Sequence, residues 1–161
     1  MHDAGHSEEQ DAAALAAPDP GFAARVRASF ARQRIMQLLG AELSRIEPGL
    51  CEITLPFKDA LCQQHGFFHG GVVGTIADSA GGYAGFSLMP EDASVLTVEY
   101  KLNLIAPADG DLLTARGRVV KPGRTLVVAR ADVTVRKDGR ETLCATLLQT
   151  LMTMHGRNDE D

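Results

Sequence analysis

The stretch QQHGFFHGGVVGTIADSAGGYAG, residues 63 to 85, decides the fold because it predicts a long buried helix. We expect this helix to run from Gly71 to Met89. Asp78 is the one carboxylate in the stretch, surrounded by valine, isoleucine, alanine and glycine. An isolated carboxylate is costly to bury, so Asp78 should be paired, protonated or used in chemistry.

Glycines crowd the face of the predicted helix that carries Asp78. Each interior glycine costs a helix about 1 kcal/mol relative to alanine. Close approach of another backbone or of a ligand would offset that cost. The alternative is that the glycines only let the helix lie tightly on its sheet while Asp78 pairs with an arginine. The glycine face comprises Gly71, Gly74, Thr75, Gly81, Gly82 and Gly85, and the core stripe comprises Val72, Ile76, Ala80, Tyr83 and Ser87.

The start of the same helix offers donors for an anion. Gly70 and Gly71 lie where the first backbone N–H groups lack partners inside the helix, and the helix dipole there favours negative charge. Donors fixed at such a position stabilise the oxyanion of acyl transfer. Together with the carboxylate of Asp78 they indicate hydrolysis of a thioester or an ester.

Gly70 and Asp78 are too far apart on one helix to reach the same substrate carbonyl. Eight residues of helix span about 12 Å. If both groups act on one substrate, they must come from different copies of the chain, with two antiparallel helices related by a two-fold axis. This spacing predicts a homodimer with two composite sites.

The rest of the chain predicts an α+β fold in which an antiparallel sheet packs on the long helix. GFAARVRASFARQRIMQLLG predicts one amphipathic helix from Gly21 to about Leu39 with Gly40 as its cap. This helix could close a pocket or only buttress the sheet, and we favour buttressing. ELSRIEPGLCEITL predicts two strands around a Pro48-Gly49 turn, and KPGR and KDGR predict hairpins among four later strands. The alternation in SVLTVEYKLNLI predicts one apolar face of Leu96, Val98, Tyr100, Leu102 and Leu104, opposite Thr97, Glu99, Lys101 and Asn103.

Length and composition predict a single soluble domain over residues 21–155. The chain has 161 residues, of which 45% are hydrophobic and 23% charged. Residues 1–20 are acidic with little to bury, which predicts a disordered tail, and residues 156–161 form a polar C-terminal tail. A net charge of −5 disfavours nucleic-acid binding, and no apolar run is long enough for a membrane helix. The absence of a signal-peptide pattern and the three scattered cysteines favour a reducing cytoplasm.

Three segments together resemble one protein family. QQHGFFHGGVVGTIADSAGGYA, VLTVEYKLNLIAPA and GRVVKPGRTLVVARADV are similar to the hotdog-fold acyl-CoA thioesterases of the PaaI-like, phenylacetate-pathway type. The resemblance covers roughly residues 22 to 155. It implies an antiparallel sheet wrapped around a long central helix, acyl-CoA as substrate, no cofactor or metal, and homodimers that often assemble into homotetramers.

The resemblance also implies roles for individual residues. Asp78 matches the carboxylate that acts as general base or nucleophile on the thioester, and Gly70 matches the N–H that polarises its carbonyl. His69 matches the histidine that shapes this turn, and Gln63 a side chain that positions substrate or water. Thr97 stands where some relatives carry a serine that orients the water. The remaining candidates would bind substrate: Gly71 at the helix start, Phe68 beside the acyl group, and Lys121, Gly123 and Arg124 near the phosphates or nucleotide of coenzyme A.

Other interpretations of these residues remain open. Phe67 and Phe68 could be simple core residues instead of the border of an acyl pocket. His65 and His69 with Asp78 could imitate a two-histidine, one-carboxylate metal site, although the oxyanion interpretation already explains the glycine-rich turn. A hotdog dehydratase would share the fold, and a non-catalytic acyl-CoA binding or sensing protein would share the pocket.

Overall fold

The computed structural model describes residues 15–157. It contains a six-stranded antiparallel sheet with strand order β1-β2-β4-β5-β6-β3, and one long helix that contacts β2 to β6. The predicted α+β architecture is confirmed. The elements in chain order are α1 (Phe22–Arg32), α2 (Arg34–Leu39), β1 (Glu42–Glu47), β2 (Leu50–Pro56), a 3-10 turn (Asp59–Leu61), α3 (Gly70–Phe86), β3 (Ala93–Leu104), β4 (Leu112–Lys121), β5 (Leu126–Lys137) and β6 (Arg140–His155).

Local turn chemistry joins the strands as expected. Gly49 has a φ of 75°, as the third position of a type II turn requires, and connects β1 to β2. Asp138 and Gly139 have φ values of 50° and 77°, which form the two-residue turn between β5 and β6. The KPGR segment connects β4 to β5. All three predicted hairpins are therefore present.

Helix α3 is buried on nearly every side, not along a single stripe. Every residue from Ala80 to Phe86 is buried. The helix lies so close to the sheet that a Cβ on Gly117 of β4 would collide with the carbonyl oxygen of Ala80. This close approach lets one helix cover the face of the sheet formed by β2 to β6. Ile76, Ala80, Tyr83 and Ser87 of the predicted core stripe are buried, whereas Val72 is only half-buried and its neighbour Val73 takes the buried position.

Side chains of the chain's own sheet occupy the space beside most of the α3 glycines. A Cβ on Gly70 or Gly74 would meet Leu104 or Leu102 of β3, and one on Gly81 or Gly85 would meet side chains of β6. Tight packing on the sheet, the alternative left open above, accounts for these four. Gly82 differs, because no atom lies within 4 Å of the position its Cβ would take.

A β-bulge in β3 overturns the predicted single apolar face of that strand. Thr97 pairs with Leu151 of β6, but Glu99 pairs with Thr150, so Val98 is an extra residue. Cross-strand partners point to the same face. Thr97 therefore shares the helix side with buried Leu151, and beyond the bulge the helix side passes to Tyr100, Leu102 and Leu104, opposite Gln149, Leu147 and Ala145.

The N-terminal segment forms two helices instead of the one predicted. Gln33 is extended, with φ −71° and ψ 99°, and separates α1 from α2, whereas Gly40 caps α2 with a φ of 79° as expected. Arg25 ties α1 to the C-terminal end of α3, where its guanidinium donates to the carbonyl of Met89 at 2.8 Å and pairs with Asp19 at 3.0 Å. A cation at this position also complements the negative end of the helix dipole.

The predicted tails fall mostly outside the described residues. The described residues begin at residue 15. Asp19, near the end of the predicted N-terminal tail, is buried against α1. Between residues 15 and 157, none of the helices combines the length and apolar character needed to cross a bilayer.

Candidate active site

The start of α3 presents a backbone donor to a cavity. His69 is the N-cap residue, and its Nδ1 accepts the N–H of Gly71 at 2.9 Å. The next N–H groups, of Val72 and Val73, donate to the carbonyl of His69. No acceptor within residues 15–157 contacts the N–H of Gly70. The N–H of Gly71, the second predicted donor, is therefore already bonded to His69. At the start of α3, Gly70 alone keeps its N–H for a ligand.

A cavity of about 480 Å³ lies beside this free donor. Gln63, Phe67, Phe68 and Gly70 line it together with residues 104–108. Phe68 is buried and meets the ring of Phe57 edge-on at 5.4 Å, so it belongs to both the core and the cavity wall. The side-chain oxygen of Gln63 accepts the N–H of His65. This bond leaves the amide hydrogens of Gln63 as its donors toward a ligand.

Asp78 lies in the middle of α3 and is held by hydrogen bonds from two strands. The hydroxyl of Thr97 on β3 donates to Oδ1 at 2.8 Å, and the amide of Gln149 on β6 donates to the same oxygen at 3.3 Å. Burial raises the pKa of Asp78 above its ordinary value, and the hydrogen bonds from Thr97 and Gln149 act in the opposite direction. The carboxylate is therefore a stronger base than an exposed aspartate.

Helix α1 contributes to the walls around Asp78. A second cavity, of about 130 Å³, opens beside the acid at Gly82. Ser29 of α1 lines it and lies 3.1 Å from the hydroxyl of Tyr83, and Gln33 accepts from Ser79 at 3.3 Å. The expectation that the N-terminal helix only buttresses the sheet is therefore incomplete.

The two cavities have no lining residue in common. One contains the Gly70 donor with Gln63, and the other contains Asp78 with Thr97. Within one chain, Gly70 and Asp78 therefore line separate cavities. Ser29 and Tyr83 line the Asp78 cavity and Gln149 donates to Asp78, and the sequence analysis assigned none of these three residues to the site.

The candidates for coenzyme A binding line neither of these two cavities. Lys121, Gly123 and Arg124 lie on or beside the β4–β5 loop and are exposed. Gly123 and Arg124 border a third cavity, of about 300 Å³, together with Met89 just beyond the C-terminal end of α3. Residues 15–157 contain no group of three or more His, Cys, Asp and Glu side chains arranged to hold a metal ion.

Comparison with known proteins gives consistent matches. The profile of the thioesterase superfamily matches residues 65–142. A thioesterase family protein from Silicibacter pomeroyi is 52% identical, with a TM-score of 0.84 over 84% of this chain and 100% of that one. SSO1253 of Saccharolobus solfataricus, named as an inferred esterase, is 33% identical over 129 residues, 80% of this chain and 83% of that protein. The PaaI protein of E. coli, at 19% identity, shares the fold, with a TM-score of 0.76 over 85% of this chain and 96% of that one.

Proposed function

Because the chain belongs to the thioesterase superfamily, with its hotdog fold, we propose that it hydrolyses acyl-CoA thioesters to the free acid and coenzyme A. The observation that carries this proposal is the N–H of Gly70, which has no acceptor within the described residues and borders a 480 Å³ cavity. A donor fixed at a helix start is suited to the oxygen of a carbonyl under attack.

In the proposed reaction, Gly70 binds the thioester carbonyl oxygen and stabilises the negative charge that develops on it. The amide of Gln63 lies in the same cavity and holds the substrate or the attacking water. The helix dipole adds to the field at this point because the donor belongs to the first turn of α3. His69 keeps the turn rigid through its bond to Gly71.

Asp78 supplies the base. As a general base it takes a proton from water, whose oxygen adds to the carbonyl carbon; the C–S bond then breaks, and the proton passes to the departing thiolate. As a nucleophile it would form a mixed anhydride that water hydrolyses in a second step. Its raised pKa makes the carboxylate a better proton acceptor than an exposed aspartate, and Thr97 orients it in either route.

A homodimer completes the site in this proposal. Gly70 and Asp78 line separate cavities, and eight helical residues, about 12 Å, separate them along α3. β3 forms an edge of the sheet and exposes Tyr100 and Leu104 there, which a second copy would cover. Antiparallel packing of two α3 helices would place the Gly70 of one chain beside Asp78 of the partner subunit.

The same symmetry would bring the β4–β5 loop of one chain toward the helix start of the other. Lys121 and Arg124 would then lie near the phosphates of coenzyme A. On the outer face of the sheet, Leu96, Leu126 and Leu148 are each about half exposed, at 56%, 49% and 54%. Such an apolar face supports further pairing into a dimer of dimers.

Release of free thiol from aryl-, short- and medium-chain acyl-CoAs tests this proposal. We expect turnover by the parent protein and a loss of about 10²-fold or more in Asp78→Asn, since general bases typically contribute 10²–10⁴-fold. Binding of a thioether analogue of acyl-CoA should persist in the variant. Asp92→Asn is the matched control, because Asp92 is an exposed carboxylate in the loop after α3.

Two results would replace this function with another. Binding of the analogue without thiol release by the parent would indicate an acyl-CoA binding or sensing protein. Hydration of crotonyl-CoA, or dehydration of a 3-hydroxyacyl-CoA, without thiol release would indicate a dehydratase.

A further inference from the structure

We infer that Gln149 is a positioning residue. It holds Oδ1 of the Asp78 carboxylate, so that Oδ2 of Asp78 is the reactive oxygen. The inference rests on the proposed function, in which Asp78 is the base. Gln149 itself does not reach the cavity beside Asp78, because its side chain lies between β6 and α3 and is 1% exposed. It therefore acts through Asp78.

Both hydrogen-bond donors to the Asp78 carboxylate use the same oxygen. Thr97 and Gln149 donate to Oδ1, and Gln149 also donates to the backbone carbonyl of Asp78 at 3.3 Å. No donor within residues 15–157 contacts Oδ2. The two donors come from different strands, so they fix the plane of the carboxylate and leave one oxygen for water or substrate.

Gln149 keeps this position at a cost to stability. Its Oε1 atom is buried and has no hydrogen-bond partner among the described residues. A buried acceptor without a partner lowers the stability of the folded protein. Leu147 and Leu151 flank Gln149 on the same face of β6, and an aliphatic side chain there would avoid the cost. A polar residue retained at such a position calls for a functional explanation, and orientation of Asp78 provides one.

Gly81 makes room for the side chain of Gln149. A Cβ at this position would overlap Oε1 of Gln149, whereas the neighbouring glycine, Gly82, faces open space. Gly81→Ala would therefore displace the amide of Gln149 without removing it. Alanine is also a better helix former than glycine, so a loss of activity in this variant would not come from weaker helix propensity.

Within residues 15–157, the side chains that face Asp78 are uncharged. α1 and the α1–α2 junction contribute Ser29 and Gln33, β3 contributes Val95 and Thr97, β6 contributes Gln149, and α3 itself contributes Ser79, Gly82 and Tyr83. Tyr83 is the one titratable side chain among these residues. Loss of the Gln149 donor removes a stabilisation of the charged carboxylate, so the pKa of Asp78 should rise.

The first experiment compares Gln149→Met, which keeps the volume but not the donor, with Thr153→Val. Thr153 is the matched control because it lies on β6, is buried and also has an oxygen without a partner. We expect Gln149→Met to lower kcat by about 10–100-fold with little change in KM, since loss of orientation can cost up to about 10²-fold. The acidic limb of the kcat/KM profile should shift to higher pH. Thr153→Val should change neither kcat nor this limb.

NMR titration of the Asp78 carboxylate carbon gives a readout that needs no turnover. We expect a higher pKa in Gln149→Met than in the parent and in Thr153→Val. An unchanged pKa would overturn the inference even if the protein hydrolysed no thioester. Turnover by the parent with an unchanged kcat in Gln149→Met would overturn it while leaving the proposed function intact.

A double-variant cycle tests the link through Gly81. Gly81→Ala should lower kcat in the parent but cause no further loss in a Gln149→Ala background, where the colliding amide is absent. Independent, multiplicative losses would show that Gly81 does not act through Gln149, and would contradict this part of the inference.

Discussion

Replacement of Gly70 by proline removes one hydrogen-bond donor and little else. Gly70 is the first residue of α3, the helix position that proline tolerates best, because no internal hydrogen bond uses that N–H. The residue before a proline must be extended, and His69 already is, with φ −64° and ψ 138°. Gly70→Pro should therefore fold with α3 intact and without the N–H that faces the cavity.

The expected loss follows from the use of a single donor. One oxyanion donor is worth roughly 10²–10³-fold in kcat, about 3–4 kcal/mol. Because His69 occupies the N–H of Gly71, no neighbouring donor replaces the missing one. Gly70→Ala is the control, since it keeps the N–H while its Cβ, like that of proline, meets the flexible end of Leu104 at 2.7 Å.

Thiol release from the best acyl-CoA substrate is measured for both variants, with binding of the thioether analogue and the thermal midpoint in parallel. We expect Gly70→Ala to stay within a few-fold of the parent and Gly70→Pro to fall by about 10²-fold or more at an unchanged midpoint. Equal kcat values for the two variants would refute the assignment of the Gly70 N–H to the oxyanion.

Three further outcomes are expected. A heterodimer of Gly70→Pro and Asp78→Asn chains, isolated with two affinity tags, should keep about half the parent rate because one of its two sites is intact; a rate as low as that of either variant alone would contradict a shared site. Asp78→Asn should raise the thermal midpoint at pH 7. The pKa of Asp78 is raised in the folded protein above its ordinary value of 3.8, so the charged carboxylate destabilises the fold at higher pH. The rise in the thermal midpoint should therefore vanish in scans below pH 3.8; an equal rise at both pH values would contradict this. Gly117→Ala should lower the free energy of unfolding in urea by about 1–3 kcal/mol, because its Cβ would collide with the rigid backbone at Ala80; an unchanged free energy of unfolding would show that the helix can move away.

Features that depend on neighbours in sequence were predictable. The turn at Asp138-Gly139 and the N-terminal position of Gly70 follow from glycine content and spacing within a few residues. The separation of Gly70 from Asp78 follows from helix geometry alone. Hence the helix, the hairpins and the separation of Gly70 from Asp78 could be stated from the sequence.

Features that depend on residues distant in sequence could not be predicted from the sequence. The bulge at Val98 is set by the pairing of β3 with β6 about fifty residues later, and it decides that Thr97 faces Asp78. Gln33, where the chain breaks between α1 and α2, and Ser29 of α1 both line the Asp78 cavity. Gln149 did leave a local signal, a polar residue between the buried Leu147 and Leu151 of an alternating strand, but only the structure shows what its amide contacts.

The glycine content of α3 also bears on the order of folding. Six of its seventeen residues are glycine, so the helix is too weak to form in isolation and depends on the sheet around it. That sheet relies on the pairing of β3 with β6, a contact of long sequence separation that forms slowly. During synthesis on the ribosome, Gly70 and Asp78 therefore reach the positions they have in the folded protein only after β6 has been made.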